Sequence, residues 1–216
     1  MITLYDIPVS SYGCKIRIVL THKNLEWQTI PPPDGYGSPA YCAISPAGTI
    51  PAIDQDGFVL GDSEAIAEYL EESVPKPAML PTKLRERACA REISRFHDTR
   101  IEPVLRAYFP HVAPTRRDPA FVAENAVLLQ KRIDQLAQMV TPSPLLFGDQ
   151  LSIADCGFVA SFALMSIFRD ILGITVILPP KLIEYEVALT AHESVTKQNA
   201  AYYKALNNWA KDKLTG

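Results

Sequence analysis

The sequence predicts a small α/β domain followed by an all-α helical domain. Three observations carry that reading. The first seventy-odd residues alternate short β-rich runs with helical periodicity in the order β-α-β-loop-β-β-α. Val74-Pro-Lys-Pro-Ala-Met-Leu-Pro81 then places three prolines in eight residues, and proline fixes φ and removes an amide donor, so this stretch is a semi-rigid connector. Everything after it reads as helix. The expected organisation is an α/β domain over 1–75, a linker over 76–83 and a helical domain over 84–216.

The elements follow in order. Ile2-Thr-Leu-Tyr-Asp-Ile7 is a short strand ended by Pro8. A helix begins near Ser10 or Ser11, because Ile16, Val19 and Leu20 recur at helical spacing after the turn signal Ser10-Ser-Tyr-Gly13. Glu26 to Ile30 is a second strand, and the Pro/Gly-rich run Pro31 to Gly37 is loop. Ile50-Pro-Ala-Ile53 and Phe58-Val-Leu60 flank Asp54-Gln-Asp-Gly57, a hairpin connector. Asp62-Ser63-Glu64 opens an amphipathic helix carrying Ile66, Tyr69 and Leu70. Beyond the linker, helices are expected at about 84–109, 119–140, 152–169, 180–190 and 194–213, with Pro103 kinking the first. Trp27 and Trp209 are assigned to core packing.

Charge and cysteine usage exclude several classes. The 216 residues carry 21 Lys/Arg and 24 Asp/Glu, a net of −3, which is no footprint for nucleic acid. The most apolar run, Cys156 to Phe168, is too short to span a bilayer. The N-terminus lacks the basic and apolar parts of a secretion signal, so a cytoplasmic protein is expected. Cys14, Cys42, Cys89 and Cys156 form neither a disulfide framework nor a zinc pattern, so no metal is expected. The charge is uneven: residues 1–80 hold four Lys/Arg against ten Asp/Glu, and residues 24–75 contain no Lys, Arg or His at all.

Three short segments carry chemistry. Ser10 and Ser11 stand where a strand ends and a helix begins, so hydroxyls and free amides converge at the positive end of a helix dipole. Either serine could equally be a cap. In Ser45-Pro-Ala-Gly-Thr-Ile-Pro51, a proline just inside a strand is a candidate cis peptide that would turn the backbone of Ile50 outward, toward a peptide-like ligand; a plain turn with an edge strand is the alternative. Asp62 and Ser63, at a helix start, suit a group bearing both ammonium and carboxylate, or they simply cap the helix.

Taken together, the order and spacing of these segments resemble the cytosolic glutathione transferase family over nearly the whole chain. Ser10-Ser-Tyr-Gly-Cys-Lys-Ile-Arg-Ile-Val-Leu20 is similar to the first-helix motif of the serine-type zeta and tau classes. Ser45 to Pro51 resembles the family's cis-proline loop, and Gly61-Asp-Ser-Glu-Ala-Ile66 resembles its γ-glutamyl-binding motif. Gly148 to Asp155 resembles a structural segment of the helical domain, with Ser152-x-x-Asp155 as a capping-box variant.

The resemblance implies the glutathione transferase fold: an α/β thioredoxin-like N-terminal domain plus an all-α C-terminal domain. It implies glutathione as co-substrate, conjugation of its thiolate to a small electrophile, a role in detoxification and a homodimer. Ser10 is the implied thiol-activating residue, standing five residues before Lys15, with Ser11 the alternative. Ile50, Pro51, Asp62 and Ser63 are the implied glutathione-binding residues. Tyr12, His97, Arg100 and Tyr108 are the expected acceptor-site residues. Cys14, one helical turn past Ser10, is expected to pack inward rather than act as nucleophile. The alternatives are an isomerase of the maleylacetoacetate type, although zeta sequences run Ser-Ser-Cys-Ser-Trp-Arg, and a non-catalytic scaffold of the same fold. The second carboxylate of glutathione has no base in 24–75. Tyr36, Tyr41, Ser38, backbone groups, water or a cation from the helical domain or a partner subunit would meet it; otherwise glutathione binds weakly or its use is lost.

Overall fold

A computed structural model of the chain describes residues 1–215. Its N-terminal part is a four-stranded sheet in the order β2-β1-β3-β4, built from β1 (Ile2–Tyr5), β2 (Trp27–Ile30), β3 (Ala52–Gln55) and β4 (Phe58–Gly61). β1 pairs parallel with β2 and antiparallel with β3, and β3 pairs antiparallel with β4. Asp56 and Gly57 join β3 to β4 with both φ values positive, 54° and 86°, the turn whose twist matches the strands it connects. This is the thioredoxin-like arrangement.

Helix α1 (Ser11–His22) and α3 (Ser63–Ser73) bury their apolar stripes against one sheet face. The short α2 (Pro39–Cys42), which lies in the stretch after the Pro/Gly loop, sends Tyr41 to the other face beside Tyr5 and Ala52. β3 starts at Ala52 rather than Ile50, because Pro51 has no amide to give a ladder; the Ile50–Pro51 bond is cis. The connector after Ser73 ends where α4 (Leu84–Phe96) begins.

One expected helix is three elements. In place of a kinked helix over 84–109 there are α4, a π-helical turn over His97–Ile101 and α5 (Glu102–Arg106). Pro103 explains the break upstream of itself. Its ring crowds the carbonyl four residues back and it cannot donate an amide there, so the preceding turn widens. Short 3-10 turns follow at Phe109–His111 and Pro114–Arg116, then α6 (Pro119–Met139), α7 (Ile153–Leu172), α8 (Pro180–Ala191) and α9 (Glu193–Thr215).

Helix α7 is the axis of the helical part. Most of its length is buried, and its start is held by Asp155, whose carboxylate accepts from the Ser152 amide at 2.9 Å, the Tyr185 hydroxyl at 2.9 Å and the Leu146 amide at 3.2 Å. One apolar cluster runs without interruption from Ile2 and Leu4 through α1 and α7 to Leu206 on α9. Among the described residues no helix is long and apolar enough to cross a membrane.

Candidate functional site

A cavity of about 810 Å³ opens where the sheet's C-terminal edge meets α4, α5 and α9. Ser10, Ser11 and Tyr12 form its floor, and Ile50, Asp62 and Ser63 one side. Arg95, Asp98 and Arg106 form the opposite side, with Phe109, Pro110 and Trp209 closing an apolar end.

The two serines have different duties. Ser10 is the N-cap of α1: its Oγ accepts from the Gly13 amide at 3.0 Å. Its hydroxyl also stands beside the buried Asp6 carboxylate and helps to hold that carboxyl down. Ser11 is 5% exposed and donates to Glu102 Oε1 at 2.6 Å, so its proton is committed inside the protein. Gly13 is small for a reason. A Cβ there would lie 2.0 Å from Asp6 Oδ1, so the first turn of α1 rests directly on the buried Asp6 carboxylate.

Asp62 caps α3 with one oxygen, accepting from the Glu64 and Ala65 amides at 2.9 and 3.0 Å. This differs from a row of free amides: the cap itself takes two of them through Oδ1, and the second Asp62 oxygen makes no hydrogen bond among the described residues. The Ser63 hydroxyl makes no hydrogen bond among the described residues and lines the cavity. Ile50 likewise lines it, with no backbone hydrogen bond of its own, while the buried Pro51 supports it from behind.

Lys15, 1% exposed, ties three elements together. Its ammonium reaches Glu64 on α3, Asp98 in the π turn at 2.8 Å and Ser94 on α4 at 3.2 Å. Burial alone would lower this ammonium; Asp98 and Glu64 reverse the effect and keep it charged. Burial would likewise raise Asp98, but the hydrogen bond with His97 and the Lys15 charge hold its carboxyl at about 2. Cys14 is fully buried, and burial pushes its thiol up to about 11, which keeps it protonated and unreactive.

The acceptor-side expectations are partly overturned. Tyr12 lines the cavity; its hydroxyl donates to the Asp98 carbonyl at 2.8 Å, and burial followed by the Glu102 and Asp98 charges raises its pKa far above the ordinary value. His97 and Tyr108 do not reach the cavity. His97 is 2% exposed between Asp98 and Ser161, at 2.8 Å from each, and Tyr108 is buried against the Phe168 ring. Arg100 points to solvent and is not a lining residue. The reason is which helical face meets the cavity: Arg95, Asp98 and Arg106 recur at ordinary helical spacing on the cavity side, and His97 and Arg100 fall on other sides. Trp209 packs against the core as expected, partly buried, and also lines the cavity. On the side near α2, Tyr41 is buried with its hydroxyl donated to the Thr49 carbonyl, and Ser38 donates to the Pro33 carbonyl. Of the three residues expected there, only Tyr36 lines the cavity, and the cations lining it, Arg95 and Arg106, both come from the helical part.

Residues 4–78 match the family model described as glutathione S-transferase, N-terminal domain. Maleylacetoacetate isomerase of Rattus norvegicus is 30% identical over 158 residues, covering 70% of this chain and 72% of that one. The chain belongs to the glutathione S-transferase family. A second relative, maleylacetoacetate isomerase of Pseudomonas aeruginosa, is 37% identical over 110 residues, and the chain spans about half of its length, 52%. A delta-class glutathione transferase of Nilaparvata lugens superposes with a TM-score of 0.82 at 19% identity, covering 99% of this chain and 100% of that one, which speaks for the transferase fold alone.

Arg95, Asp98, Glu102, Arg106 and Trp209 were outside the sequence-derived set for this transferase-fold site. Glu102 and Arg106 stand four apart, the ordinary spacing of a helical ion pair, and that signal was present in the sequence.

Proposed function

We propose that the protein binds glutathione and adds its thiolate to a small electrophile held in the adjoining cavity. The observation that carries this is the division of labour between the serines. Ser10 lines the cavity at the start of α1, where its hydroxyl can turn to a ligand, whereas the Ser11 proton is spent on Glu102 in the helical part.

A thiol of pKa about 8.5 is a weak nucleophile until it ionises. The Ser10 hydroxyl donates to the thiolate and the α1 dipole favours its charge, and neither helps the neutral thiol to the same degree. Lowering the pKa by about two units requires about 2.7 kcal/mol, within reach of those two effects combined. Asp62 meets the γ-glutamyl ammonium, the Ser63 hydroxyl its carboxylate, and the backbone of Ile50 pairs with the cysteinyl residue. The test is a titration of thiolate absorbance with glutathione bound. Ser10→Ala is expected to raise the thiol pKa by one to two units, roughly 1.4 to 2.7 kcal/mol. A titration curve that does not move with Ser10→Ala removes Ser10 from this role.

The relatives named as maleylacetoacetate isomerases favour a second reading, in which the thiolate adds to a cis-alkene acid, the former double bond rotates and the thiolate leaves. Conjugation consumes glutathione and isomerisation returns it, so measuring free thiol during turnover separates the two. The same reading makes the protein a cytoplasmic homodimer that handles reactive electrophiles, and sedimentation measures its assembly.

A further inference from the structure

Arg106 is held like part of a receptor. Its guanidinium forks onto Glu102, Nε to Oε2 at 3.2 Å and Nη2 to Oε1 at 2.5 Å. Glu102 is 1% exposed, so one edge of the fork is anchored on a buried charge. The Tyr12 ring supports it from below, with the guanidinium carbon 5.2 Å from the ring centroid. Nη2 also lies 3.4 Å from the Ser11 hydroxyl, which places the headgroup one residue from Ser10. A guanidinium has five N–H donors, and Nη1 has no partner among the described residues. The side chain is 55% exposed, and it lines the cavity. Burying one charged edge and leaving the other open is an arrangement for receiving a planar anion.

The rest of the cavity states what that anion is attached to. Val9, Phe109, Pro110 and Trp209 form an apolar wall, with the Phe109 and Trp209 rings 4.8 Å apart. The other carboxylates near the cation do not contest it: Asp98 is occupied by Lys15 and His97, and Asp62 stands at the start of α3.

We infer that the acceptor is an electrophile bearing a carboxylate beside a flat apolar body, its carboxylate on the open edge of Arg106 and its body against Phe109 and Trp209. This rests on reading the cavity beside Ser10 as the acceptor site. Arg106 is then the specificity-determining residue, acting on the acceptor rather than on the thiol.

The experiment is equilibrium binding by calorimetry of 3-phenylpropanoate and its methyl ester, two unreactive compounds that differ only in charge. The acid is expected to bind at least about tenfold tighter than the ester, and Arg106→Gln to cut that preference to about threefold or less. Because Arg106→Gln leaves Glu102 buried without its cation, the double variant Glu102→Gln/Arg106→Gln is measured alongside it, and Arg106→Lys is expected to restore part of the preference. Equal binding of acid and ester, no binding of either, or a preference that survives both Gln variants overturns the inference. No thiol chemistry enters this assay. A protein that prefers the acid but does not ionise bound glutathione refutes the proposed function, and one that ionises glutathione but ignores the acid refutes only this inference.

Discussion

At the residue scale, the first turn of α1 stands on a carboxylate that the protein is ill equipped to keep charged. Asp6 is 1% exposed, pairs with Arg17 through one oxygen and leaves Oδ1 buried with no partner. Burial pushes its carboxyl up to about 6, with Arg17 working in the opposite direction. Between roughly pH 4 and 6 the folded protein therefore holds a proton that the unfolded chain releases, and stability falls as pH rises through that window. Asp6→Asn does not titrate. Urea unfolding at pH 4.5 and at pH 7 is expected to show wild type losing ground to Asp6→Asn by about 2 kcal/mol on going to the higher pH. A difference between the two proteins that is the same at both pH values removes Asp6 as the source.

At the scale of elements, the segment from Pro31 to Pro51 shapes one side of the site without supplying a cation. Tyr36, 62% exposed, and the exposed Thr49 bring its hydroxyls to the cavity, and an exposed hydroxyl opposite a carboxylate contributes little. Binding of glutathione should therefore depend on its γ-glutamyl end. γ-Glutamylcysteine, which lacks the glycine carboxylate, is expected to compete within about threefold of glutathione, a difference under about 1 kcal/mol. A loss of a hundredfold would show that a cation reaches the glycine end. The contrast between segments also explains what was legible in the sequence. Ser10, Ile50, Asp62 and Ser63 line the cavity from the element boundaries they stand on, and boundaries leave local signatures such as Pro, Gly and capping residues. The cavity face of the helical part has no such signature. His97, Arg100 and Tyr108 were chosen as polar and aromatic residues on that helix, but which helical face meets the cavity is set by packing, and the lining residues there are Arg95, Asp98 and Arg106. Trp209 was missed for a different reason: its place is set by where α9 lands after the whole helical part has folded.

At the scale of the molecule, the proline-rich connector separates two chain segments but not two cores. α1 is buried between the sheet and α7, and the apolar cluster passes from one segment to the other through that contact. The two tryptophans report from opposite ends, Trp27 on β2 and Trp209 on α9. Shared burial predicts a single cooperative transition. The variants Trp27→Phe and Trp209→Phe, each leaving one reporter, are expected to unfold at the same urea midpoint relative to their own circular dichroism. A reporter that departs from that signal would mark a part that melts alone. The π turn has a consequence in genetic terms as well. A π turn holds one residue more than a regular turn, so deleting one residue from His97–Ile101 would restore regular helix and leave the segment after it facing as it does. Arg106 would stay on the cavity, opposite Asp62 and Ser63. A codon lost here is absorbed, whereas one lost within α4 would turn the segment after it by about 100°.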